Sequence, residues 1–175
     1  MRLPIGYRAD RTVIWKSAGG MQIEMHEEVF ASIVRRIASC GRGETGGILI
    51  GCYSDDLSTA EVLLASGPGP LSVSKSSFFT RKAFGIQAEL DKEFESGKYY
   101  LGEWHCHPGA DSTPSSQDVR QMKSISKSVS YSCPEPILMV FGKSDPYVFN
   151  TVAVIIDDEI ITFERDLKHG CNNAD

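Results

Sequence analysis

Residues 99–126 read YYLGEWHCHPGADSTPSSQDVRQMKSIS. The aromatic-rich run 99–107 predicts a strand. Two prolines and a glycine within 108–114 exclude regular structure there. Over 115–126 Val119, Met122 and Ile125 recur on one side of a polar segment, which predicts a short helix. A strand, a loop of a few residues and a helix folding back over the strand form one layered α/β unit, and the rest of the chain repeats that style.

Upstream, 11–15 (RTVIW) predicts a strand, followed by a turn at Ser17-Ala18-Gly19-Gly20 and a second strand over 21–25, where Met, Ile and Met alternate with Gln and Glu. Residues 26–39 place Val29, Phe30, Ile33, Val34 and Ile37 at helical spacing, with Gly41 and Gly43 as the stop. The apolar run 46–53 (GGILIGCY) predicts a buried strand, paired as a hairpin with 60–65 across Ser54-Asp55-Asp56. Gly67-Pro68-Gly69-Pro70 marks a loop, and 81–95 is amphipathic through Phe84, Ile86, Leu90 and Phe94. Downstream, 137–141, 148–156 and 160–163 predict three closing strands. Trp104, Phe141 and Phe149 are expected in the core. Helices between strands, with hairpin-like pairs late in the chain, predict an α/β (α+β layered) architecture with a mixed sheet.

The chain has 175 residues, a size that suits one domain, and 41% apolar with 23% charged residues gives an ordinary globular balance. Eighteen basic against 23 acidic residues leave a net charge of −5. The only adjacent basic pairs, Arg35-Arg36 and Arg81-Lys82, sit in amphipathic stretches, which argues against nucleic-acid binding. No apolar run reaches the roughly 20 residues of a membrane helix, and the first residues show no apolar signal core. Five scattered cysteines without a CxxC suit reduced thiols, so a cytoplasmic location is expected. Residues 170–175 are expected to form a flexible tail beyond a domain spanning 1–169.

The chemistry concentrates in 103–118. His105 and His107 are two apart, so on a strand both rings face one side and can share a cation. Cys106 between them faces the other way, which disfavours a thiol nucleophile. Asp118, brought back by the loop, supplies an oxygen ligand, and a water completes the set. Two imidazoles, one carboxylate and one open position make a catalytic zinc arrangement, since structural zinc sites are normally closed by four protein ligands. Ser115 and Asp118 also read as a capping box, with Ser115 as N-cap. The two readings are compatible, because a residue near a helix start can both cap and face a metal. Glu103 shares the strand face with the histidines and is a rival for the base, but it lies within the strand and away from its mouth, so a buried partner behind the histidines or a solvent-facing residue is expected. His26 and His169 have no partner in sequence, and surface roles are expected for both.

The segment reads H-x-H-P-x6-S-x-x-D and resembles the JAMM signature of the JAB/MPN/Mov34 metalloproteases, in their compact prokaryotic JAB form. Residues 44–51 (ETGGILIG) are similar to that family's E-x-x-G-x-L-x-G element, and Leu101-Gly102 fits as well. The resemblance implies a single MPN/JAB-like domain, a mixed curved sheet flanked by helices. It implies one Zn(2+) per chain with a bound water, held by His105, His107 and Asp118. It assigns Glu44 as general base and acid, and Ser115 as a stabiliser of the oxyanion. The implied activity is isopeptidase cleavage after the C-terminal glycine of a ubiquitin-like protein or of a protein conjugated through its C-terminus. An antiphage operon with E1- or E2-like ubiquitin-transfer enzymes as partners is the implied setting. Trimming a sulfur-carrier C-terminus, a noncatalytic MPN-like scaffold and a DNA-repair relative are the alternatives. An extended substrate tail can add as a strand at a sheet edge, and residues 68–79 are the candidate for part of its groove.

Overall fold

The computed structural model describes residues 12–41, 43–67, 92–144 and 147–167. Among the described residues eight strands and two helices run in the order β1 (Thr12–Lys16), β2 (Gln22–His26), α1 (Glu27–Ser39), β3 (Thr45–Tyr53), β4 (Thr59–Ala65), β5 (Tyr99–Pro108), α2 (Ser116–Ser126), β6 (Ile137–Ser144), β7 (Tyr147–Ile156) and β8 (Glu159–Arg165). Each strand expected from the sequence is present, most of them longer by one to three residues. The amphipathic stretch 81–95 and the groove segment 68–79 lie outside the described residues, apart from a helical turn at 92–95. The tail 170–175 lies outside them too.

The sheet is mixed. β2 pairs with β4 and β5 with β6 in parallel, and the other neighbours are antiparallel. The order is β1-β2-β4-β3-β5-β6-β7-β8, and the sheet curls until β8 meets β1 at Trp15↔Arg165 and Lys16↔Glu164. Curling gives it two faces of different fate. Inside the curl, side chains from all eight strands join Ile33 and Ile37 of α1 in one apolar cluster, with Trp15, Trp104 and Phe141 its largest buried members. The outer face of β3, β5, β6 and β7 is covered by Met122 and Ile125 of α2, packed with Ile48, Ile50, Leu138, Val140 and Ile155. Phe149 departs from expectation: it is 53% exposed. On β7 the inward positions are Val152 and Val154, so strand alternation turns Phe149 outward.

β5 holds the irregularity that matters for the site. Leu49 pairs with Gly102 and Ile50 with Tyr100, so Leu101 is an extra residue bulging from the ladder. The bulge resets the alternation. Tyr100 and Glu103 share the outer face, and Leu101 and Trp104 both point inward. Gly102 is required there: a Cβ would collide with the Ile137 carbonyl oxygen on β6 and lie 2.6 Å from the Ile137 nitrogen. We expect Gly102→Ala to cost at least about 3 kcal/mol, since rigid backbone must shift. Gly109, with φ of +75° and nothing within 4 Å of an added Cβ, is expected to cost about 1–2 kcal/mol when replaced by Ala. Urea melts of the two variants check the difference.

Candidate active site

β5 ends where α2 begins, because a helix that returns over the outer face after a short loop must start at the strand's C-terminal end. His105 and His107 lie on the outer face of that end, with ring centroids 6.0 Å apart and planes 23° apart. Asp118 lies in the first turn of α2. Its Oδ1 is 3.7 Å from His105 Nε2 and its Oδ2 is 3.6 Å from His107 Nε2. All three side chains are mostly buried. These separations exceed a good hydrogen bond. They lie close to the spacing of ligand atoms around a tetrahedral zinc, about 3.3–3.6 Å for bonds of about 2.0–2.2 Å, with each histidine facing a different oxygen of Asp118.

The donor set itself, two imidazoles and a carboxylate, suits zinc. Among the described residues no three or more His, Cys, Asp or Glu side chains are placed so that together they could hold a metal ion. These three come instead as two pairs sharing one carboxylate.

The orientation of Asp118 is fixed by the helix start. Ser115 Oγ accepts from the Asp118 N–H at 3.2 Å, and Asp118 Oδ2 accepts from the Ser115 N–H at 2.7 Å. The pair caps α2, and it aims the carboxylate at the histidines. Ser115 is exposed, and its hydroxyl hydrogen is still available to donate. Glu44 is exposed and immediately precedes Thr45, which pairs with Cys106. The mouth of β3 thus runs beside the ligand strand.

The loop between His107 and Ser115 is pinned at several points. The Gly109 N–H donates to the Lys143 carbonyl at 2.9 Å, and the Ser112 and Thr151 hydroxyls are 2.9 Å apart. Asp111 accepts from the Thr113 N–H at 2.9 Å. That bond, with a smaller contribution from His107, holds its carboxyl below the usual range.

Gly142, opposite His107 on β6, was not singled out by sequence reasoning. A Cβ there would approach Asp111 C at 2.5 Å, Ala110 O at 2.6 Å and Ser112 N at 2.7 Å. Its missing side chain seats the loop. In sequence it stood just past the expected strand 137–141, and only the structure extends β6 through it. Gly142→Ala is expected to lower metal affinity and activity by at least tenfold, with a smaller effect on the melting temperature than Gly102→Ala. Calorimetric metal titration beside thermal melts checks it.

Cys106 is fully buried on the inner face, and burial pushes its thiol up to about 11, so it is a packing residue as expected. Cys40, Cys52, Cys106 and Cys133 are all free. Glu103, the rival carboxylate, is 1% exposed and accepts from the Tyr100 hydroxyl at 3.3 Å and from Gln121 Nε2 at 2.9 Å. It is held beneath α2, not at the mouth. His26 finds a partner that the sequence did not indicate, with Nε2 3.5 Å from Glu61 Oε1. Among the described residues no helix is long and apolar enough to cross a membrane.

Residues 26–156 match the family of prokaryotic homologs of the JAB domain. The chain belongs to that family. The matched prokaryotic JAB region contains Glu44, His105, His107, Ser115 and Asp118. This JAB chain is 36% identical over 137 residues to the CD-NTase/cGAS isopeptidase of Enterobacter hormaechei subsp. hoffmannii, spanning 78% of this chain and 76% of that one. It is 31% identical over 102 residues to the probable metalloprotease y4qB of Sinorhizobium fredii, spanning 55% of this chain and 61% of the relative. A solution structure of a Desulfitobacterium hafniense protein aligns with a TM-score of 0.56 over 80% of this chain and 88% of its own, at 16% identity. That likeness concerns the fold.

Proposed function

We propose that the chain is a zinc-dependent isopeptidase that cleaves the amide bond after the C-terminal glycine of a ubiquitin-like protein or of a protein conjugated through its C-terminus. The observation that carries this is the approach of His105 and His107 to one carboxylate, at 3.7 and 3.6 Å, at the C-terminal end of β5. The likeness to a CD-NTase/cGAS isopeptidase supports a conjugated protein as substrate. We place this activity in an antiphage setting in the cytoplasm, with E1- or E2-like enzymes making the conjugate. The likeness to a probable metalloprotease supports the metal.

In this reading His105, His107 and Asp118 hold the ion, which when bound supplies Lewis acidity and brings the pKa of water close to neutrality. Glu44, at the mouth of β3, takes a proton from the attacking water. It then delivers a proton to the departing lysine nitrogen, without which an amine is a poor leaving group. The Ser115 hydroxyl donates to the oxygen that gains charge as the carbonyl becomes tetrahedral. Removing such a donor raises a barrier by roughly 2.7–4 kcal/mol. The capping bonds fix both Ser115 and Asp118 before substrate arrives, so little reorganisation is left for the reaction.

The substrate tail is extended, but curling has left each described strand with a neighbour on both sides. β3 runs on toward the site past its last β4 pair, Leu49↔Ala65. Residues 45–47 of β3 are the edge on which we place the tail.

The test is incubation of the zinc-loaded protein with a CD-NTase joined through its C-terminal glycine to a lysine side chain, read by intact mass. Separation into a CD-NTase ending in a free glycine carboxylate and a free lysine amine, with one water added, is expected, blocked by a chelator and restored by zinc. Cleavage that survives complete metal removal, or none with zinc bound, contradicts the proposal. Cleavage confined to extended sulfur-carrier proteins moves the substrate assignment to that alternative.

A further inference from the structure

The two elements that carry the candidate ligands are tied together one step behind them. Glu103 is two residues before His105 on the same face of β5, and Gln121 is one helical turn after Asp118 on α2. Gln121 Nε2 donates to Glu103 Oε2 at 2.9 Å, and the Tyr100 hydroxyl donates to Oε1 at 3.3 Å. Tyr100 is held in turn against Tyr131, with centroids 5.1 Å apart. Burying a carboxylate under a helix is costly, and apolar packing alone would avoid it. The bulge at Leu101 is what brings Tyr100 and Glu103 onto one face, so the local strand irregularity and the buried acid belong to one device.

We propose that the Glu103–Gln121 hydrogen bond is a brace that sets the separation of β5 from α2, making Glu103 and Gln121 positioning residues for a metal held by His105, His107 and Asp118. The inference rests on the metal reading above. Apolar contacts of Met122 and Ile125 also hold α2 down, but they tolerate sliding. A directional bond between a fixed carboxylate and the helix turn after Asp118 restricts it. Partners that orient ligands in this way typically change metal affinity by about 10–100-fold when removed.

The test is cobalt titration of metal-free protein, following visible absorption, with circular dichroism and thermal melts as fold controls. Wild type is expected to bind one cobalt with a tetrahedral-type spectrum, and His105→Ala to abolish it. Gln121→Met fills the same space without the amide, and is expected to lose about 10–100-fold in cobalt affinity while keeping its fold. Glu103→Ala is expected to lose as much. Glu103→Gln, which still offers an acceptor to Gln121, is expected to stay within about threefold of wild type. Wild-type affinity and spectrum in Gln121→Met, with binding still dependent on His105, overturns the brace alone. Glu103→Gln as damaging as Glu103→Ala also overturns it. Cobalt binding absent in wild type, or unaffected by His105→Ala, overturns the metal reading and the brace with it.

Discussion

Asp118→Asn should lose the metal and the activity while keeping the fold. The substitution separates the two roles that Asp118 holds. An asparagine oxygen still accepts from the Ser115 N–H, and the backbone N–H still donates to Ser115 Oγ, so the start of α2 stays capped. What is lost is the anionic oxygen presented to His105 and His107. Stability is expected to fall by about 0.3–1 kcal/mol, the usual worth of a negative charge at a helix N-terminus. Bound metal is expected to fall from one per chain to a small fraction, and peptidase activity to background. Metal analysis on the dialysed variant, beside a denaturant melt, reads both quantities. If Asp118 were only a capping residue, metal content and activity would follow stability and hardly change.

Glu44→Gln is expected to show the complementary pattern. Metal remains bound, because Glu44 lies on the approach to β3 and outside the trio on β5 and α2. Turnover is expected to fall by about 10²–10⁴-fold, the range for loss of a general acid–base group. Single-turnover assays with the metal-loaded variant check this. Full activity in Glu44→Gln would return the proton-transfer role to another group. Glu103 is poorly placed to take it, being buried beneath α2 with both oxygens engaged by Tyr100 and Gln121.

Much of this site was legible in sequence because its geometry is local. A strand places His105 and His107 on one face whatever its neighbours are. A loop of fixed length followed by a capping signal places Asp118 near the end of that strand. The eight strands were legible for a similar reason, since apolar alternation and turn residues act over a few positions.

The missed features depend on residues far apart in the chain. Glu103 as a buried partner was one of two readings open in the sequence, but its bond to Gln121, eighteen positions away on another element, was not visible there. The role of Gly142 comes from a loop that crosses it, and the closing of the sheet comes from β1 meeting β8. Phe149 looked like core by composition, but alternation along β7 turned it outward. In each case tertiary contact, not local preference, set the outcome.

The glycines of the ETGGILIG segment show both kinds of information. Their spacing was visible at once, and their reason was not. A Cβ at Gly47 would collide with the Ser66 carbonyl and lie 2.6 Å from Trp104 Nε1, which donates to that same carbonyl at 3.0 Å. The close approach locks β3 against β5, and so holds Glu44 beside the ligand strand.

The most direct measurement is the zinc content of the purified, dialysed protein, determined by elemental mass spectrometry for wild type and for His105→Ala and His107→Ala. We expect about one zinc per wild-type chain, and little in either variant with the fold retained. Zinc that stays at wild-type level in both variants, or a wild-type protein that cleaves its conjugate with no metal bound, would contradict the account.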